Sequence, residues 1–140
     1  MINFVSTFPP MMCGIGTYTG YLVSKMAKEN WSVTSFKLDE FLRTDQSFHF
    51  NDRVAYEICL SNPHLPASNV ELLWFQHAFG MWGEESPAFL HLVEEAKTRK
   101  KKVIASFHTI HFESDETESG MRSQEETLLR DALPLLDVMT

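Results

Sequence analysis

Three groups of residues in this chain are of a type and spacing that could do chemistry on a ligand. The first is the turn Gly14-Ile15-Gly16-Thr17, whose backbone N–H groups open a helix and can face an anion or a polar ring. The others are His77, followed by Phe79 and Gly80, and His108, followed by Thr109. An imidazole that titrates near neutral pH can accept from a hydroxyl or orient it. Each feature also has a plain structural reading. A Gly-x-Gly turn can be a tight connection with no ligand, and a histidine that ends a strand can be a hydrogen-bonded residue at a sheet edge.

The elements around these residues decide whether they can meet. Residues 2–8 are too uniformly apolar for a half-exposed strand and fit a central parallel strand, which Pro9 and Pro10 stop. Gly14 and Gly16 lack a Cβ, so the backbone there can take positive φ and a ligand can approach closely. From Ile15 the apolar period lengthens to a helical one, with Tyr18, Thr19, Leu22, Val23, Met26 and Ala27 on one face. Lys25 and Lys28 suit its negative end, and Asn30 suits a left-handed cap. Further strands are expected over 31–38, 54–60, 70–77 and 103–108, and the start of another at 137–140. Ser86 as N-cap and Pro87 at the first position begin a helix with Phe89, Leu92, Val93 and Ala96 as its buried stripe, ending in Arg99-Lys-Lys-Lys102. Ser123 and Glu126 have capping-box spacing before Leu128, Leu129 and Ala132, and Pro134 stops that helix.

Strands alternating with helices predict an α/β domain spanning residues 1–140: an open, mostly parallel Rossmann-like sheet with helices on both faces. Ligands in such sheets bind outside the carboxyl ends of the strands. The Gly14 turn, His77 and His108 all fall at that edge, and their common location says more than any one of them.

Composition excludes several classes. The net charge of −7 argues against a nucleic-acid partner, which needs a broad basic face. With 44% hydrophobic residues the chain can bury a core, yet no apolar run reaches the ~20 residues of a membrane span. The N-terminus lacks the basic region of a signal peptide, and Cys13 and Cys59 read as reduced thiols, so a cytoplasmic location is expected. No metal is expected either. His108 and His111, with His77 near them, lack a Cys or Asp at ligand spacing, and zinc needs three or four protein ligands. His49, His64 and His91 read as surface or loop residues. The basic run 99–102 reads as a solvated helix end that complements the dipole, with contact to anionic lipid as the alternative. Met11, Met12, Met81 and Trp82 could floor a pocket, face another domain or form a local cluster. A nicotinamide site fits poorly, because Thr19 holds the third glycine position of the fingerprint and Asp39 and Glu40 end the second strand only loosely.

Taken in order, Ser6-Thr-Phe-Pro-Pro10 with Cys13-Gly-Ile-Gly-Thr17, then Gln76-His-Ala-Phe-Gly80, then Ser106-Phe-His-Thr109 resemble the amino-terminal domain of the retaining GT-B glycosyltransferases of family four. The resemblance covers essentially the whole chain. It implies the acceptor-side half of an enzyme that moves a sugar from a nucleotide-diphosphate donor to a hydroxyl acceptor, saccharide or lipid-linked, without a metal. Gly14 and Gly16, with Ile15 and Thr17, would line the cleft and offer N–H groups to the donor diphosphate or the acceptor. His108 would face the reacting sugar and count as the catalytic residue. His77 would lie beside it, with Phe79, Gly80 and Thr109 shaping the acceptor pocket. The family often has a carboxylate after this histidine, where this chain has Ala78. The family's carboxy-terminal donor domain has no counterpart in the sequence, so a fragment or one half of a split enzyme, inactive alone, is expected, at the inner face of the membrane where the acceptor is a lipid. The alternative is a non-catalytic Rossmann-like binding module.

Overall fold

A computed structural model describes residues 1–38, 51–83, 86–109 and 123–140. Asp39, Glu40, His49 and His111 lie outside the described residues, so the expectations placed on them have no structural counterpart here. Six parallel strands form one sheet in the order β3-β2-β1-β4-β5-β6: β1 (Ile2–Val5), β2 (Trp31–Phe36), β3 (Val54–Ile58), β4 (Leu72–His77), β5 (Lys102–Phe107) and β6 (Val138–Met139). This is the doubly wound Rossmann-like order, and the direction of winding reverses between β1 and β4.

Helices cover both faces. On one side α1 (Gly14–Ser24) packs Val23 against Phe4, Phe8, Trp31 and Val33. On the other, α2 (Pro87–Thr98) and α3 (Ser123–Ala132) close the larger core around Val5, Phe75, Val103 and Ala105. Phe89, Leu92, Val93 and Ala96 are all fully buried, as the helical period of α2 predicts. No helix among the described residues is long and apolar enough to cross a membrane.

Several boundaries differ from the sequence reading. β1 stops at Val5, and residues 6–13 form an irregular connection that contains a cis Pro9–Pro10 bond. The buried stripe of α1 is Gly16, Thr19 and Val23, not Ile15 and Tyr18; Tyr18 and Tyr21 are exposed. The helix ends at Ser24, and Lys28–Asn30 is a separate 3-10 turn without a left-handed cap. The run 99–102 ends α2 with Arg99, Lys100 and Lys102 exposed, and two of its side chains also have backbone partners. Arg99 donates to the carbonyls of Leu65 and Pro66, and Lys101 to those of Ser68 and Val70, while Lys102 starts β5. These bonds pin the crossover connection between β3 and β4, which carries no helix among its described residues.

Candidate site at the carboxyl edge of the sheet

The winding reverses between β1 and β4, the place outside whose carboxyl ends doubly wound sheets bind their ligands, and α1 begins at that edge. Cys13 is its N-cap in extended conformation, without a side-chain capping bond, and its first turn holds no acidic residue. The first N–H groups of a helix have no intrahelical partner, so this end presents donors and the positive pole of the helix dipole.

The two glycines differ. Around Gly14 a Cβ would meet nothing within 4 Å, and the residue is exposed. Gly16 is buried, and a Cβ there would lie 3.2 Å from the backbone nitrogen of Phe8 and 3.3 Å from its Cα. Neither residue has positive φ. Gly16 therefore sets how closely α1 approaches the chain leaving β1. Ser6 and Thr19 join their hydroxyls across the same contact at 2.9 Å, and the Thr19 hydroxyl also lies 2.9 Å from the Ile15 carbonyl. Thr17 and Ile15 stay on the outer side of the helix, Thr17 exposed and Ile15 half-buried, with the Thr17 hydroxyl turned back to the Cys13 carbonyl.

Strand alternation sends Gln76 and His77 to opposite faces. His77 points toward α2, where its ring lies 4.7 Å from Phe79, 4.6 Å from Phe89 and 5.0 Å from Phe107, centroid to centroid. It is fully buried, and its Nε2 pairs with the Ser86 hydroxyl at 3.1 Å. Ser86 takes a left-handed conformation with φ 51° and spends its hydroxyl here instead of capping α2. Desolvation, reinforced by the charge of His108, pushes the pKa of His77 down to about 3, so this imidazole is neutral at physiological pH. His77 supports the edge from below; it does not sit beside His108 on one surface.

His108 follows β5 on the α1 side and is exposed. Its backbone N–H donates to the His77 carbonyl at 2.9 Å, which extends the β4–β5 ladder by one bond. The ring is held twice: Nε2 lies 2.7 Å from Gln76 Oε1, and the Tyr18 ring of α1 meets it edge-on with centroids 4.9 Å apart. Partial burial lowers its pKa below the ordinary imidazole value. In a neutral His108 the Gln76 carbonyl selects the Nε2–H tautomer and leaves Nδ1 as a free acceptor. Such a nitrogen can accept from a hydroxyl. Gln76 is itself fully buried, its backbone carbonyl taken by Trp82 Nε1 at 3.0 Å, while its side-chain Nε2 has no partner among the described residues.

Thr109 is exposed immediately beyond His108. Phe79 packs over His77, and Gly80 and Gly83, with φ 94° and 88°, close a tight bridged turn that buries Trp82. Positive φ at these positions is why the loop needs glycines. Met11 and Trp82 are buried and Met81 is half-buried, so these side chains are core, while Met12 is exposed. The sequence reading missed Gln76 and Tyr18 as site residues. A glutamine within an apolar strand was the available signal, since a buried amide needs a partner; Tyr18 gave none, because its spacing matched the buried stripe.

A concavity of about 460 Å³ lies elsewhere, near the amino ends of β1 to β3, lined by residues such as Asn3, Ser32 and Thr34. Those three satisfy one another, Asn3 donating to Ser32 at 2.8 Å and accepting from Thr34 at 3.0 Å. No protein-family model, curated protein or solved structure matches this chain. Its all-parallel, Rossmann-like α/β sheet rests on the topology alone.

Proposed function

We propose that this chain is the acceptor-side domain of a metal-independent, retaining GT-B glycosyltransferase of the family-four type, which moves a sugar from a nucleotide-diphosphate donor to a hydroxyl acceptor. The observation that supports this reading best is the oriented imidazole of His108, held by Gln76 and Tyr18 next to the uncapped start of α1. In this reading Nδ1 of His108 accepts from or orients a sugar hydroxyl, and the N–H groups at Gly14 and Ile15 face the departing diphosphate. A donor-binding domain opposite this edge completes the cleft, and closure of the two excludes water. The acceptor is a saccharide or a lipid-linked sugar, and the setting is the cytoplasm or the inner membrane face.

A non-catalytic binding module is the competing reading, and one observation favours it. Gly16 is explained by its close approach to Phe8 and the His77 Nε2 by its Ser86 bond, while the buried His77 Nδ1 has no partner among the described residues. A saturation-transfer NMR screen of the chain against mono- and disaccharides and detergent-solubilised polyprenyl-linked sugars separates the two. Binding of one acceptor class that His108→Ala weakens by about tenfold, roughly 1.4 kcal/mol, supports the acceptor role. Binding of no member of the panel, or equal binding by the variant, contradicts it.

A further inference from the structure

Away from the sheet edge, three side chains of metal-ligating type converge where the crossover connection meets α2. His91 and Glu95 stand four residues apart on α2 and so share a helix face. His64 comes from the connection between β3 and β4 and stands over them, its ring edge-on to His91 with centroids 5.8 Å apart. One ligating atom from each of His64, His91 and Glu95 lies within 4.8 Å of the other two. The distance from His64 Nδ1 to Glu95 Oε2 is 3.9 Å. Zinc held at ~2.0–2.1 Å in tetrahedral geometry needs ligand atoms about 3.3 Å apart. The gap therefore closes with side-chain rotation of two exposed histidines, and the backbone need not move.

The partners of these groups favour ligation. The Asn62 carbonyl lies 3.2 Å from His64 Nε2, which places the proton there and leaves Nδ1, the atom facing Glu95, as a lone-pair donor. The Glu95 carboxylate is held in place on both oxygens, Oε2 by the Leu65 N–H at 3.0 Å and Oε1 by Arg99. Arg99 is itself tied to the carbonyls of Leu65 and Pro66, which fixes the side chain that orients the carboxylate. An imidazole pair with one carboxylate suits zinc and its borderline neighbours cobalt and nickel, and does not suit calcium or magnesium, which take oxygen ligands.

We propose that His64, His91 and Glu95 form a surface site for a divalent transition metal of the zinc type, with a coordination position open to solvent. The bound ion would clip the crossover connection onto α2 and stabilise the fold by binding the native state only. This site is independent of the sheet-edge reading and survives its failure.

The test is isothermal titration of the full chain with zinc, repeated with His64→Ala, His91→Ala and Asn62→Ala. One zinc per chain is expected, with binding weakened by more than about tenfold in either histidine variant and by about tenfold in the Asn62 variant. His64 has a side chain 63% exposed, so its removal leaves the core intact and keeps the test valid if another variant misfolds. Cobalt in place of zinc should show ligand-field absorption without the thiolate charge-transfer band that Cys13 or Cys59 would give. The melting temperature should rise with zinc concentration. Three results would each overturn the proposal: no saturable binding at about 1 mM zinc, equal affinity in His64→Ala and wild type, or loss of zinc in His108→Ala instead.

Discussion

Gln76 and His108 are joined across the carboxyl ends of β4 and β5 by a 2.7 Å contact between Oε1 and Nε2. The bond determines which nitrogen of His108 is open. It also ties an exposed ring to a fully buried amide, so the orientation of the imidazole is inherited from the core. Gln76→Glu places a carboxylate against the imidazole and should raise the His108 pKa from the value that partial burial lowers. A proton NMR titration of the ring reads this directly. An unchanged pKa would mean that the two groups are not in contact.

His77 predicts acid sensitivity of the fold. Its folded-state pKa of about 3 lies below the ordinary 6.5, so the unfolded chain binds more protons between those values. Stability from this group is fully present above pH 6.5 and falls as the pH drops toward 3, by a few kcal/mol as an order of magnitude. His77→Phe removes the titrating group while keeping an aromatic ring beside Phe89. The slope of melting temperature against pH should flatten between about pH 6.5 and 4 in that variant. An identical slope in both proteins would assign the acid sensitivity elsewhere.

The two glycines of the opening turn should respond in opposite ways. Gly16→Ala drives a methyl against backbone atoms of Phe8 and Thr7, which cannot rotate away, and should cost about 1–3 kcal/mol in chemical denaturation. Gly14→Ala meets nothing within 4 Å at the first helical position and should be neutral or stabilising by up to about 1 kcal/mol. Equal effects at the two positions would contradict the packing of α1 on the end of β1.

Asp137 fastens the outer strand. It accepts from the Val103 N–H at 2.8 Å and from Lys97 at 2.9 Å, and Lys102 stands 3.4 Å away. The Lys97 hydrogen bond, with the Val103 N–H, holds its pKa down at about 2. Its stabilisation is present above the ordinary 3.8 and is lost as pH falls through about 2. Because its ion pairs lie at the surface, Asp137→Ala should cost only about 1 kcal/mol. Hydrogen exchange should nonetheless quicken at Thr140 and Phe107, whose amides bond across β5 and β6. Unchanged protection there would show that Asp137 does not anchor β6.

The sequence carried the architecture because period and termination are local. Alternating strands, the stripe of Phe89, Leu92, Val93 and Ala96, and the end of α3 before Pro134 all follow from the nearest neighbours in the chain. It placed the Gly14 turn, His77 and His108 at one edge for the same reason. What it could not carry was the face on which each residue stands. His77 and His108 end adjacent strands, yet Gln76 rather than His77 shares a surface with His108, because the pleat reverses at every residue. Tyr18 and Gly16 exchanged roles, since a helix as tightly seated as α1 buries its smallest residue and displaces its aromatic one. The carbonyl partners of Arg99 and Lys101, in residues 65–70, were not legible because they are distant in sequence. The same holds for His64 and His91: nothing in their spacing shows that the crossover connection returns over α2.

The carboxyl edge between β1 and β4 is proposed as the ligand-binding surface. Amide-resolved NMR of the isotopically labelled chain, titrated with inorganic pyrophosphate and then with any acceptor found in the screen, tests it most directly. Saturable shifts are expected at Gly14, Ile15 and Thr17 for pyrophosphate and at His108 and Thr109 for the acceptor, with the His108 shifts lost in Gln76→Ala. Shifts confined to other surfaces, such as the concavity near Asn3 and Arg53, would contradict it.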